Sequence, residues 1–319
     1  MMTHRDKWII ALSAIWAAGL LVWPRPTNLA SDSVVPLSRR EGLYKSTLTE
    51  ANLGLLGVRF YESFEGKKRW KIESEFAELH RSENLAFMRG VNALFFVASS
   101  GNEVVTVSDF GRSFMDKHEI ELYGNVAIRS KQGYEFTMEK LNYFSETHSF
   151  QTTDVVKMRG PDVESPTMFL EGVGLNADLD EERFVLKKDI VASRQLRSSQ
   201  WMYIKSQKGE FNTGTGQAKF QKRVRATMPD MVIQSEELEL LLKKGDDDVI
   251  DVRQAVRINH KDKVAKADMA HIELGTDRII LKGRASVVNQ GNELRGEQII
   301  IHTDDDRIEV EQAQGRISQ

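Results

Sequence analysis

No cysteine occurs anywhere in the 319 residues. Disulfide frameworks, zinc ribbons, thiol catalysis and a lipid-modified N-terminal cysteine are thereby excluded. Proline is scarce, and three of the six (Pro24, Pro26 and Pro36) fall near the start. Neither sign of charge dominates: 44 Lys and Arg face 47 Asp and Glu, interspersed, for a net charge of −3. A nucleic-acid partner would call for a basic excess, so none is implied. Catalytic patterns are missing as well. There is no G-x-S-x-G elbow, no phosphate loop and no H-E-x-x-H pair. Gly214-Thr-Gly216 lacks the third glycine of a dinucleotide turn. His80, His118, His148, His260, His271 and His302 are scattered without ligand spacing. Asp246-Asp-Asp248 and Asp304-Asp-Asp306 lie between predicted strands and read as solvated hairpin tips, not calcium loops. No catalytic residue, metal or cofactor is implied.

What the chain does have begins at its N-terminus. Trp8 to Trp23 carries no charge across sixteen residues. As a helix it spans about 24 Å, slightly short of a hydrocarbon core of roughly 30 Å, with a tryptophan at each interface. His4, Arg5 and Lys7 precede it, which predicts a cytoplasmic tail over 1–7 and a transmembrane anchor over 8–23. The competing reading is a cleaved secretory signal ending near Ala30, which Asn28 at −3 fits poorly. Residues 24–55 are expected to form a tether.

From about Val58 the text alternates at period two, with turn signals every ten to twelve residues, the rhythm of an all-β protein. Three stretches repeat one another. Leu122–Tyr143, Leu281–Ile301 and the degenerate Phe220–Leu240 each read strand, turn, strand. Gly133, Gly291 and Asp230 occupy the equivalent turn; Phe136, Leu294 and Ile233 follow by three residues. No such unit buries its own apolar face, so stacked neighbours must cover it in a long layered sheet. The same alignment assigns Ser235–Lys244 to a strand, although its residues favour helix. Gly124 and Gly283 sit in mid-strand and mark bulges or close approaches. The polar stretch Arg194–Gln200 divides a first block, 56–195, from a second, 196–319.

Alternation then defines one apolar face. Its candidates in the first block are Trp70, Ile72, Phe76, Leu122, Val126, Ile128, Phe136, Met138, Leu141 and Tyr143. In the second they are Ile233, Leu238, Leu240, Leu281, Val287, Leu294 and Ile299. Glu135 falls on the opposite, outward face. Such a face either fills a sandwich core, as in an anchored structural scaffold, or lines a groove. A chain-like lipid in a groove would gain roughly 0.8 kcal/mol per methylene shielded.

Gly66…Arg69-Trp70-Lys-Ile72-Glu-Ser-Glu-Phe-Ala77, Leu122-x-Gly124-x-Val126, Gly133-x-x-Phe136-x-x-x-x-Leu141-x-Tyr143 and Thr152-x-Asp154-x-Val156 together resemble the LptC family. Leu281-x-Gly283-x-Ala285 with Gly291-x-x-Leu294-x-Gly-Glu-x-Ile299 resembles the OstA/LptA type of β-jellyroll. The resemblance implies a membrane-anchored periplasmic protein built of twisted, partly open antiparallel β-jellyrolls whose interior holds lipopolysaccharide acyl chains. It further implies inner-membrane ABC transporter subunits as partners, and an LptA-type or outer-membrane jellyroll paired through sheet edges. A second block after the first departs from the single jellyroll usual in the C type.

Overall fold

Most long strands of this protein are bent near the middle, and paired left-handed residues show where. Gly124-Asn125, Lys222-Arg223, Gln254-Ala255 and Gly283-Arg284 all have positive φ, and each pair coincides with a shift of ladder register. These are bulges, which insert an unpaired residue and kink the strand. At Gly124 and Gly283 (φ +76° and +74°) glycine meets the backbone requirement without the strain a side chain brings. An added Cβ would lie 3.1 Å from Asp109 Cβ and 2.8 Å from Asp268 Oδ2, respectively. The two bulges share a lock: Asn125 Nδ2 donates to Asp109 Oδ2 at 2.8 Å, and Arg284 Nε donates to Asp268 Oδ2 at 3.1 Å. The residue separation is 16 in both.

The computed structural model describes residues 53–64, 66–97, 101–196, 198–241, 249–311 and 314–316. The predicted anchor, most of the tether and Asp246–Asp248 lie outside them. Among the described residues no helix is long and apolar enough to cross a membrane. The described part is nearly all strand. The first block contains β1 (Leu53–Phe64), β2 (Lys67–His80), β3 (Leu85–Phe96), β4 (Glu103–Phe114), β5 (Glu119–Ser130), β6 (Glu135–Phe144), β7 (Ser149–Gly160), β8 (Met168–Asp178) and β9 (Arg183–Gln195). There follow β10 (Trp201–Ser206), β11 (Lys208–Asn212), β12 (Gln217–Met228), β13 (Met231–Leu241), β14 (Val249–His260), β15 (Lys263–Glu273), β16 (Arg278–Asn289), β17 (Asn292–His302), β18 (Ile308–Glu311) and β19 (Gln314–Arg316). The helix-prone Ser235–Leu241 is strand, as its alignment with the first repeat predicts.

Pairing is antiparallel throughout and follows chain order. β10 and β11 lie end to end in one strand position between β9 and β12, and β18 and β19 likewise both pair with β17. The sheet is therefore continuous from β9 to β12. This all-β antiparallel architecture is consistent with a β-jellyroll.

One sheet has two faces, yet the inner residues of this one are almost entirely removed from water. The bends supply the cover: each strand's halves face one another across a trough. Rings on strands that do not pair meet across it. Phe95 on β3 is 4.5 Å from Tyr143 on β6 and 4.8 Å from Phe150 on β7. The core runs continuously from Trp70 to Ile301.

Candidate functional site

The inner face of the trough is the candidate site. Alternation within each strand half sets which side chains point in, and each bulge resets the count. In β5, Leu122 and Val126 both face inward across Gly124-Asn125. Their β6 partners are Leu141 and Met138, three residues apart, so the parity of β6 changes between them. Met138, Leu141 and Tyr143 are accordingly all buried, and Phe136 is half-buried against the same core. Trp70, Ile72, Ile128, Ile233, Leu238, Leu240, Leu281, Val287 and Ile299 are also buried there.

Two candidates depart from this burial. Phe76 is on the outer face. Its ladder partner Leu56 is 82% exposed, and the Arg89 guanidinium lies over its ring, 5.5 Å from the centroid. The cause is a parity change opposite Gly90 (φ +63°), which turns Ala77 inward in its place. Leu294 pairs with the buried Val287 and so shares the inner face, but it is half-exposed near the end of the sheet. Glu135 does face outward, yet it is 5% exposed. Arg129 Nε at 2.8 Å and Arg159 Nη2 at 2.6 Å enclose it. Burial raises its pKa, the two guanidinium hydrogen bonds lower it more, and the net is below the ordinary carboxylate range.

Alternation alone did not single out the ring series that links the blocks. Phe136 (β6) meets Phe184 (β9) edge-on at 5.1 Å, Phe184 stacks on Phe211 (β11) at 4.8 Å, and Phe211 meets Phe220 (β12) at 5.5 Å. A signal existed in Phe211 and Gly209, alternate positions of a short strand hidden between clearer ones. Beside these rings is a gap of about 100 Å³ with an almost wholly apolar lining that includes Val104, Ile128, Phe136, Leu175 and Phe184. A second gap of about 50 Å³ lies on the other side of Phe136 and Phe184, against Phe211. The larger of these two gaps is smaller than the ~150 Å³ that accommodates a benzene-sized group, so neither holds a whole acyl chain in this conformation.

A third gap, about 220 Å³, lies at the margin of the second block between Met228, Met231 and Leu274, with Asp230, His260 and Asp277 at its edge. Among the described residues no group of three or more His, Asp or Glu could hold a metal ion.

His148 is almost fully buried, its Nδ1 2.9 Å from Asp180 Oδ1. Burial is the larger influence and pushes its pKa below the ordinary histidine range, against the opposing pull of Asp180. The neutral form therefore suits the folded state. As pH falls below the unfolded value of about 6.5, the unfolded chain takes up the proton first and stability drops, until the folded pKa is reached. We expect the urea midpoint to decline from pH 7.5 to 5, and His148→Gln to flatten that decline. His260, also lowered by burial, would retain its own share.

A model of the lipopolysaccharide-assembly, LptC-related family matches residues 61–195. A model of the LptA/(LptD N-terminal domain) LPS transport protein family matches residues 203–307. No curated protein matches. Among solved structures, LptH of Pseudomonas aeruginosa, the LptA homologous periplasmic component of the conserved lipopolysaccharide transport device, matches at 15% sequence identity with a TM-score of 0.36. That match covers 37% of this chain and 95% of LptH. The first match ends within the polar stretch Arg194–Gln200 and the second begins just beyond it, and the chain is an LptC-like protein with a C-terminal LptA-like block.

Proposed function

We propose that this protein is a lipid-transfer component of the lipopolysaccharide bridge, without catalytic residues of its own. The observation that carries the reading is the apolar gap beside Phe136 and Phe184, set in a greasy inner face that is continuous through both blocks. Acyl chains are sheltered there and move along the ring series from the first block into the second. The apolar run Trp8–Trp23 anchors the chain in the inner membrane, with the bulk in the periplasm. The block at 56–195 receives lipopolysaccharide from the subunits of an inner-membrane ABC transporter, and the block at 196–319 passes it towards the outer membrane. Among the described residues the sheet ends at β1 on one side and at β18 and β19 on the other, so a further jellyroll can add strands at either edge.

The transfer itself needs the faces to separate, because the resting gap is too small. Each methylene shielded contributes roughly 0.8 kcal/mol, so a few suffice to offset modest repacking. Photo-crosslinking in cells tests this. Benzoylphenylalanine at Phe136 or Phe211 should capture lipopolysaccharide, whereas the same group at the exposed, outward Tyr203 should not. Capture at Tyr203 with none at the two inner positions would refute the reading and leave an anchored scaffold with a filled core.

A further inference from the structure

Hairpin tips alternate between two margins of the bent sheet. One margin carries the tips β1–β2, β3–β4 and β5–β6; the other carries β4–β5, β6–β7 and β8–β9. The described residues of these opposite margins touch through side chains. Glu62 Oε1, near the end of β1, lies 2.9 Å from Ser145 Oγ and 3.1 Å from His118 Nδ1, both on the far margin. Arg69 Nη1, at the start of β2, lies 3.4 Å from Asp180 Oδ2 in the β8–β9 tip. Asn102 Nδ2, beside β4, donates to Glu182 Oε1 at 3.0 Å in that same tip. These partners are 83, 111 and 80 residues apart for the Glu62–Ser145, Arg69–Asp180 and Asn102–Glu182 contacts. The second block repeats the arrangement: Lys261 Nζ and Lys263 Nζ, at the β14–β15 tip, reach Asp306 Oδ1 in the β17–β18 tip at 3.3 and 3.0 Å.

Every ladder among the described strands joins chain neighbours, or strands sharing a position with one, and none joins the two margins. The margins can therefore part without breaking a backbone ladder. What they lose is polar contacts, which water replaces, and the packing directly beneath. Asn102 and Glu182 are themselves at the lip of the 100 Å³ gap, above Val104, Leu179 and Phe184.

We propose that the Glu62–Ser145–His118, Arg69–Asp180 and Asn102–Glu182 contacts form a latch along the trough of the first block, and that their release admits an acyl chain sideways into the gap below. This rests on the lipid-carrying reading, and it adds the route: between the margins and not only from an open end. The latch also retains what has entered, because the same contacts reform over the loaded trough.

The absence of native cysteine makes the test clean. In the full-length chain, Asn102→Cys with Glu182→Cys places the only two thiols at the latch, where a short bis-maleimide can staple them. The probe is purified lipopolysaccharide, and the readout is photo-capture by benzoylphenylalanine at Phe136. Stapling before loading should slow capture at least about tenfold relative to the same protein unstapled. Stapling after loading should leave the lipid in place through washing. The paired variant Asn102→Ala with Glu182→Ala, which keeps both margins but removes the hydrogen bond, should load and release several-fold faster. Loading at the unstapled rate after stapling overturns the latch while leaving the lipid-carrying reading intact. No capture by the unstapled protein removes both.

Discussion

Phe136→Asp should lower lipopolysaccharide capture by at least about tenfold while leaving the far-ultraviolet β spectrum unchanged. Phe136 is half-buried and borders both apolar gaps, so it is placed to touch a chain entering either one. A carboxylate there puts an ionised group against methylenes, and losing only two buried methylenes already costs more than one decade in affinity. Because Phe136 is not at the packed centre, the fold tolerates the change better than it would at Phe95 or Tyr143. Phe136→Leu, which preserves apolarity at reduced volume, should keep capture within a few-fold. Equal capture by the Asp and Leu variants would mean that lipid does not pass this position.

Phe95→Ala should have the largest effect on stability, about 3–5 kcal/mol, with a lowered urea midpoint. Phe95 is fully buried and contacts the rings of both Tyr143 and Phe150, so it ties β3 to β6 and β7 across the trough. Backbone ladders join chain neighbours, so stability in such a sheet is close to a sum of local terms. The loss should therefore fall on the first block. Tryptophan emission is an apt readout, because Trp70 lies in the core of that block and Trp201 near its end. The variant should unfold in two steps, with the change at Trp70 ahead of the loss of sheet in the second block. A single cooperative step at lowered midpoint would show that the described sheet behaves as one unit.

These two residues also show what was legible in the chain. The trough's inner face was readable wherever alternation ran unbroken or a glycine announced the break. Leu122, Val126 and Leu281 follow that logic, and Gly124 and Gly283 mark the bulges. Phe76 was assigned to the wrong face because its parity changes opposite Gly90, on the neighbouring strand, where a single-strand count cannot see it. Lys222-Arg223 and Gln254-Ala255 bulge without any glycine, so those bends had no local signature. Glu135 was readable as outward but not as buried, since Arg129 and Arg159 close over it only once β5, β6 and β7 are in register. The margin contacts were invisible for the same reason. They join residues up to 111 positions apart, and opposite charges at such distances carry no pattern in the sequence. The degree of opening was unreadable too: alternation says which side chains face the trough, whereas their volumes and rotamers decide whether it is filled.

The continuity of the sheet from β9 into β10 has a kinetic consequence. β9 pairs with β8 on one side and with β10 and β11 on the other, so the strand is common to both blocks. Where the two units of a relay diffuse separately, each passage waits on an encounter, and its frequency scales with the abundance of both. Here the second block is held beside the first at a fixed effective concentration. On the proposed lipid-carrying reading, hand-off across this junction would be first order and indifferent to expression level, and the two halves would not be supplied in unequal amounts.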